Sequence, residues 1–364
     1  MRLSPVLSLY FGRQFLAGLA ATFLLMLVLL YLFDAVELMR RAAGKAEATP
    51  PIVLRMAAYQ LAGLALKLLP FATLFGAMWT FSRLSRANEL VVARGLGVSV
   101  WQFMMPALVI SLLVGVLAVT LLNPFAAVLT ARYERMEAKY LRGHDSLLSI
   151  APNGPWLRQA DDDGQAVITA RQVAGPSVAL DQATVFLFRG ADRFIGRIDA
   201  ARAHLEDGSW LFEDALITGP DRPAESRASF RLPTTLTLKR IQDGLASPAS
   251  MSFWALPGFI RVLEQAGFSP VRHRLHWHAL LSVPVLLCAM VLIAAPFSLR
   301  FARRGGTGLL IGAGALTGFS LYVASDVVLA FGLSGQLPAL LAAWAPALIS
   351  VALGIALLLH LEDG

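Results

Sequence analysis

Long apolar runs alternate with short polar breaks along this chain, and the length of the runs decides its class. Six stretches approach the roughly 20 apolar residues that one helical crossing of a bilayer needs. They are Phe15–Phe33, Met56–Phe81, Val98–Leu122, Leu275–Leu299, Gly308–Phe331 and Leu337–Leu359. Pro70, Pro106, Pro284, Pro296 and Pro346 fall inside them, which membrane helices tolerate because neighbouring groups re-satisfy the freed backbone. Between the third and fourth runs the pattern changes to short β-prone stretches: Ala166–Val173, Val178–Phe188, Phe194–His204, Ser209–Thr218 and Arg231–Leu238. Turn sequences separate them, among them Asp161-Asp162-Asp163-Gly164, Glu206-Asp207-Gly208 and Gly219-Pro220. A charge-dense helix over Ala126–Leu141 opens this insert and a second over Phe253–Ala266 closes it. Regularly spaced short strands suggest a sandwich or jelly roll.

The expected fold is an α-helical membrane protein of six transmembrane helices, arranged 3+3, around an inserted all-β, jelly-roll-like domain. Residues 1–125 carry the first three spans, 126–270 the β domain with its flanking helices, and 271–364 the last three spans.

Composition agrees. Of 364 residues, 57% are apolar and 15% charged, against about 45–50% and 25% in soluble domains; the mean hydropathy is +0.63. The first run is too long for a signal-peptide core and reads as a span. A single cysteine, Cys288, rules out a disulfide framework. The net charge of +7 has a topological reading rather than a nucleic-acid one. Arg83, Arg86 and Arg94 lie between spans two and three, and Arg300, Arg303 and Arg304 between spans four and five. With Arg2 and Arg13 they define one face, which the positive-inside rule makes cytoplasmic. Both termini are then expected inside a bacterial inner membrane, with the β domain in the periplasm.

Enzyme signatures are scarce. The sequence has no Gly-x-x-x-x-Gly-Lys-Ser/Thr phosphate loop, no Gly-x-Ser-x-Gly elbow and no His-Glu-x-x-His helix. His273, His276 and His278 have metal-like spacing, but beside Arg272, Arg274 and Trp277 they read as an interfacial belt. Asp34 and Glu37 end span one as an acid–base pair or a solvated helix end. Arg40 and Arg41 follow, either as paired guanidiniums for a phosphate or as ordinary boundary charge. Lys67 and Asp326 are charges inside spans, where charge is costly and faces a bundle or a function. Gly308, Gly312, Gly314 and Gly318 give span five a small-residue face suited to close helix approach at a gate or subunit interface. Between spans two and three, Leu84, Leu90, Val91 and Leu96 offer an apolar face. Arg83, Arg86, Glu89 and Arg94 stay polar, and Gly95 and Gly97 stop the segment. Such a short amphipathic helix lies along the membrane or docks into a partner's groove.

At these residues the chain resembles the LptF/LptG permease family of the lipopolysaccharide transport system, and within it the LptG branch, over essentially its whole length. The most specific match runs from Leu69-Pro70-Phe71-Ala72-Thr73-Leu74-Phe75-Gly76-Ala77 through Ser85-Arg86-Ala87-Asn88-Glu89-Leu90-Val91-Val92 to Gly95-Leu96-Gly97-Val98-Ser99. Ser146-Leu147-Leu148-Ser149 with Gly154 and Trp156, and Leu321-Tyr322-Val323 with Asp326, add to it.

The resemblance implies a permease subunit of an ABC transporter that extracts lipopolysaccharide and passes it to a periplasmic bridge. It implies an LptF-like partner permease, a cytoplasmic LptB-like ATPase dimer and a periplasmic LptC/LptA-like jelly-roll protein, and no cofactor in this chain, ATP being bound by the partner. Arg83, Arg86, Glu89, Leu90, Arg94 and Gly95 would belong to the coupling helix, spanning about 83–95. Arg40 and Arg41 would face the lipid A phosphates, and spans one and five would form lateral gates. Asp34 stands where relatives can carry a basic residue. The alternatives are a permease of another envelope-lipid or lipoprotein-releasing exporter, and a membrane-embedded enzyme using Asp34 and Glu37 or the histidines. Lipoprotein-releasing permeases usually have four spans, with the large domain between the first two, so the 3+3 split argues against them.

Overall fold

The computed structural model describes residues 5–45, 48–89, 92, 95, 97–142, 156–160, 164–174, 179–189, 193–206, 208–220, 222–234, 247–265, 270–301 and 307–362. Apolar runs become helices because, away from water, only a helix satisfies every backbone group from within one segment. The helices are α1 (Pro5–Ala42), α2 (Pro50–Arg86), α3 (Val100–Leu117), α4 (Asn123–Met136), α5 (Leu256–Gln265), α6 (Val271–Phe301), α7 (Thr307–Leu333) and α8 (Ala339–Glu362). Six described helical segments are long and apolar enough to cross a membrane, three on each side of a β domain.

The 38 residues of α1 and 37 of α2 run about 55 Å at 1.5 Å per residue, well beyond a hydrocarbon core of about 30 Å. Their surplus forms a stalk on the insert side, where Ala35, Leu38 and Ala42 pack on Val53, Met56, Ala57 and Leu141. The main membrane core lies toward the opposite end. There Phe11, Phe15 and Leu19 of α1 meet Leu74, Met78 and Phe81 of α2, Phe103 and Met104 of α3, and Met290–Ala295 of α6. Two glycines absent from the span-five stripe set how closely these helices approach. A Cβ on Gly76 would lie 2.8 Å from Leu19 Cα, and one on Gly115 would lie 2.5 Å from Pro284 Cα. Small residues of this kind permit the backbone contact that holds membrane helices together. Hydroxyls add to it: Thr22 Oγ1 donates to Ala72 O at 3.1 Å across α1 and α2.

Span three departs from expectation. In place of a span and a separate charged helix, one continuous rod runs from α3 through a π turn at Ala118–Leu122 into α4 and a second π turn at Glu137–Arg142. The residue 125/126 boundary therefore falls within a helix. Pro124 supplies the physical reason for the first π turn. It has no N–H for the Thr120 carbonyl and its ring would crowd that oxygen in an α-helix. The backbone widens, and Asn123 N–H donates to Ala118 O.

Among the described residues the β domain is one antiparallel sheet in the order β1-β2-β3-β4-β5-β6. Its strands are β1 (Trp156–Ala160), β2 (Gly164–Ala174), β3 (Ala179–Arg189), β4 (Arg193–Glu206), β5 (Ser209–Gly219) and β6 (Arg222–Pro233). Every connection is a short hairpin, so each strand pairs with its sequence neighbour in a meander; the Greek-key crossovers of a two-sheet jelly roll need longer links. The stretch expected as a strand over Arg231–Leu238 overlaps the end of β6 (Arg222–Pro233), which starts earlier in the chain, and 235–238 lie outside the described residues.

The sheet is nevertheless rolled. Gln182 and Asp214 adopt φ of 53° and 52°, and across this line the inward face changes parity: Leu180 then Ala183, Ala200 then Ala203, Phe212 then Ala215. The rolling brings the edges together, with Gln159 Nε2 donating to Pro233 O at 3.0 Å. Ile168, Val185, Ile198, Trp210 and Phe212 fill the interior.

Because Gly115 sits against backbone and Gly312 has open space, Gly115→Val should lower the melting temperature in detergent by a few degrees, the overpacking cost being about 1–3 kcal/mol. Gly312→Ala should leave it unchanged. Thermal unfolding of the two purified variants checks the difference.

Candidate functional site

Two regions at opposite ends of the bundle carry the candidate residues. On the insert side, α1 extends past its apolar run with Asp34, Glu37, Arg40 and Arg41 on consecutive turns. Glu37 holds both guanidiniums: Arg40 Nε and Nη2 donate to its two oxygens at 2.8 and 2.7 Å, and Arg41 Nε donates to Oε1 at 2.9 Å. All three side chains are solvent-accessible, where such pairs contribute little stability. The carboxylate orients two cations side by side rather than fastening the fold. Arg41 also lies in the field of Tyr133 and Glu137 on the rod leaving span three. Asp34 Oδ2 is buried without a hydrogen-bond partner among the described residues. The arrangement presents two planar forks to any phosphate able to share them with Glu37 or displace it.

The adjoining surfaces are apolar. Leu24, Leu25, Val28, Leu32 and Phe33 of α1 are exposed, as are Leu316, Phe319, Val323 and Val327 of α7. Span one buries 17% of its apolar window inside the chain and span five 11%, against 56% for span four. Spans one and five are thus the sides left for lipid or another subunit. The glycine face of span five is divided: Gly314 packs on Met78 and Gly318 on Leu74, at 2.9 Å for an added Cβ, while Gly312 is open. Part of that face is therefore spent on α2 of the same chain. Gly308 lies on α7, but its surroundings fall outside the described residues.

At the other end, Arg83 and Arg86 are exposed on the final turns of α2, which runs to Arg86. The amphipathic segment does not begin at Arg83. Asn88, at φ 56°, breaks the helix, and a new turn starts at Glu89, with Val92 N–H donating to Asn88 O at 3.0 Å. Glu89 is half-buried, and Val92 and Gly95 are exposed; Leu90 and Arg94 lie outside the described residues. Gly97, at φ 83°, ends the segment. Ser99 then caps α3 through a reciprocal box with Gln102. A cavity of about 300 Å³ opens here, lined by Leu7, Tyr10 and Phe11 of α1 with Asn88, Glu89, Val92 and Val98. The part played by the first turns of α1 was missed from sequence, where nothing linked residues 7–11 to residue 89.

The histidines are structural in setting. His273 is buried against Phe259, ring centroids 5.0 Å apart, and Trp277 stacks on Phe253 at 6.3 Å. Lys67 lies within electrostatic reach of His276. Among the described residues no three His, Cys, Asp or Glu side chains form a metal-ligand group. Asp326 is exposed and hydrogen bonded by the Tyr322 hydroxyl.

A family model described as Lipopolysaccharide export system permease LptF/LptG matches residues 9–360. Among curated proteins, the lipopolysaccharide export system permease protein LptG of Haemophilus influenzae is 24% identical over 300 residues, covering 78% of each chain.

Since Glu37 occupies three guanidinium N–H groups, Glu37→Gln should raise binding of a phosphate-bearing lipid to the detergent-solubilised protein a few-fold. Microscale binding with a fluorescent phospholipid monoester checks this, and unchanged binding would show that Glu37 does not compete.

Proposed function

This chain belongs to the LptF/LptG family of lipopolysaccharide export permeases, and we propose that it forms half of a heterodimeric bundle driven by a separate cytoplasmic ATPase. The observation that carries the reading is the match over residues 9–360, which takes in both triplets of spans and the β domain. The chain is a multi-pass inner-membrane permease subunit of lipopolysaccharide export rather than an enzyme. Its proposed partners are an LptF-like permease, an LptB-like ATPase dimer and an LptC/LptA-like periplasmic protein.

In this account the substrate enters between the thinly covered faces of spans one and five. Its phosphates meet Arg40 and Arg41, and its acyl chains stay against apolar side chains throughout. The rolled sheet receives it when the Gln159–Pro233 edge contact parts, since an inward face of Ile168, Val185, Ile198 and Phe212 then offers acyl chains an alternative to water worth about 0.8 kcal/mol per buried CH₂. Energy enters from the opposite end. Glu89 and the groove beside Leu7 and Tyr10 form the surface against which the ATPase pushes, and the left-handed residues Asn88 and Gly97 hold that segment at a fixed angle to α2 and α3. A push on a short rigid segment between two spans is transmitted as a rigid-body movement. A second reading, a permease for another envelope lipid, uses the same apolar path and differs only in the headgroup.

Arg40→Glu with Arg41→Glu should cut photo-crosslinking of lipopolysaccharide to the assembled complex by about tenfold, two charge-assisted pairs being lost; undiminished crosslinking would remove the arginines from the path. Glu89→Lys should abolish co-purification of the ATPase while leaving the partner permease bound, and full recovery of the ATPase would remove Glu89 from the contact.

A further inference from the structure

The chain turns toward the β domain past residue 123 and comes back against the same point at residue 253, and the two roots of the β domain are fastened to each other. Asn123, 3% exposed at the π turn, accepts the Phe253 backbone N–H on Oδ1 at 2.7 Å. Trp254 Nε1 donates to Thr120 O at 3.2 Å. Pro124, four residues on, has no N–H to give that carbonyl. Phe253 stacks on Trp277 at the start of α6. Beneath the hydrogen bonds, Val119, Leu256 and Leu280 form a small core with Met251 and Val283. α5 continues from this point and is tied back to α6 by the Arg274–Glu264 ion pair.

The upstream half of the same rod begins at the coupling segment. Gly97 and the Ser99–Gln102 capping box fix the start of α3, and the helix is continuous from Val100 to Leu141. One stiff element therefore has the proposed ATPase contact at one end and the root of the β domain at the other.

We propose that span three is the transmission rod of this permease, and that Asn123 and Trp254 are positioning residues which make the re-entry segment follow it. This rests on the reading of the Glu89 region as the place where force enters. Pro124 is what makes the latch possible: with no N–H to give, it leaves the Thr120 carbonyl without its usual helical donor, and the Trp254 indole N–H donates to it instead. When the rod shifts, both roots of the β domain shift with it, and the sheet moves as a unit instead of trailing on one tether.

The test uses the whole complex in proteoliposomes and reads lipopolysaccharide transferred to a soluble acceptor per ATP hydrolysed. Trp254→Phe keeps the ring and removes the donor; Asn123→Leu keeps the volume and removes the acceptor; Asn123→Asp keeps an accepting oxygen. The Asn123→Leu/Trp254→Phe variant should retain ATP hydrolysis and its partners yet transfer about fivefold less lipid per ATP, the low end of ordinary coupling between sites. Asn123→Asp should restore most of the ratio, which a loss of folding would not permit. If the double variant fails to assemble, Trp254→Phe alone should still lower the ratio. An unchanged ratio beside an active wild type overturns the latch alone. A wild-type complex that hydrolyses ATP but moves no lipid overturns the underlying reading, and this inference with it.

Discussion

The bilayer offers no water to a backbone amide, and nearly every feature of this chain answers to that constraint. Each unpaired N–H or carbonyl in hydrocarbon costs several kcal/mol, so the apolar runs coil into helices and the β-forming sequence is kept together in one insert. The side-chain hydroxyls in the spans obey the same rule. Thr73, Thr80, Ser298 and Ser350 each donate to the carbonyl one turn back, at 2.7 to 2.9 Å. Pro124 is the informative case among the helix prolines. Its missing N–H leaves a carbonyl over, and the chain satisfies that carbonyl with a tryptophan from beyond the β domain rather than with another turn of helix.

Division of labour follows from where the bundle is thick and where it is thin. Spans two, three and four pack on one another through Leu74, Phe103 and the fully buried run of α6, with Gly115 letting α6 and α3 touch at the backbone. Spans one and five cover little of themselves. A bundle built this way has a stiff centre and two open flanks, which suits a machine that moves a lipid sideways out of a membrane and moves force along its axis. The rolled sheet is built on a different plan: its core is its own inner face, and the edges close through the Gln159 side chain rather than through a covering helix.

The spans were legible in the sequence because run length and hydropathy report the bilayer directly, and the observed helices differ mainly by extending further. What escaped depends on contacts between distant residues. Trp156–Ala160 and most of Arg222–Pro233 lack apolar alternation; they are the outer strands of the described sheet, so only their neighbours make them strands. Gly76 and Gly115 form no spaced stripe like that of span five, so nothing in the sequence marks them as helix contacts; spacing marks a helix face but not which helix meets it. The cation pair was half legible. Arg40 and Arg41 stand out in the sequence, while Glu37, three and four residues upstream, reads there as one of an acid–base pair with Asp34 or as part of a solvated helix end, and not as the carboxylate that orients them. The short amphipathic segment between spans two and three starts several residues later than its sequence suggests, because Arg83 and Arg86 look amphipathic in a row with Glu89 and only the left-handed Asn88 separates them.

Every functional statement depends on which side of the membrane the two ends of the bundle face. From charge sidedness we propose that the loops carrying Arg83, Arg300 and Arg304 face the cytoplasm and the β domain the periplasm. The direct measurement is cysteine labelling in a Cys288→Ser background, with a membrane-impermeant maleimide applied to spheroplasts. Pro220→Cys should label in intact spheroplasts and Arg304→Cys only after lysis. The reverse pattern would put the β domain on the wrong side for lipid export and contradict the account.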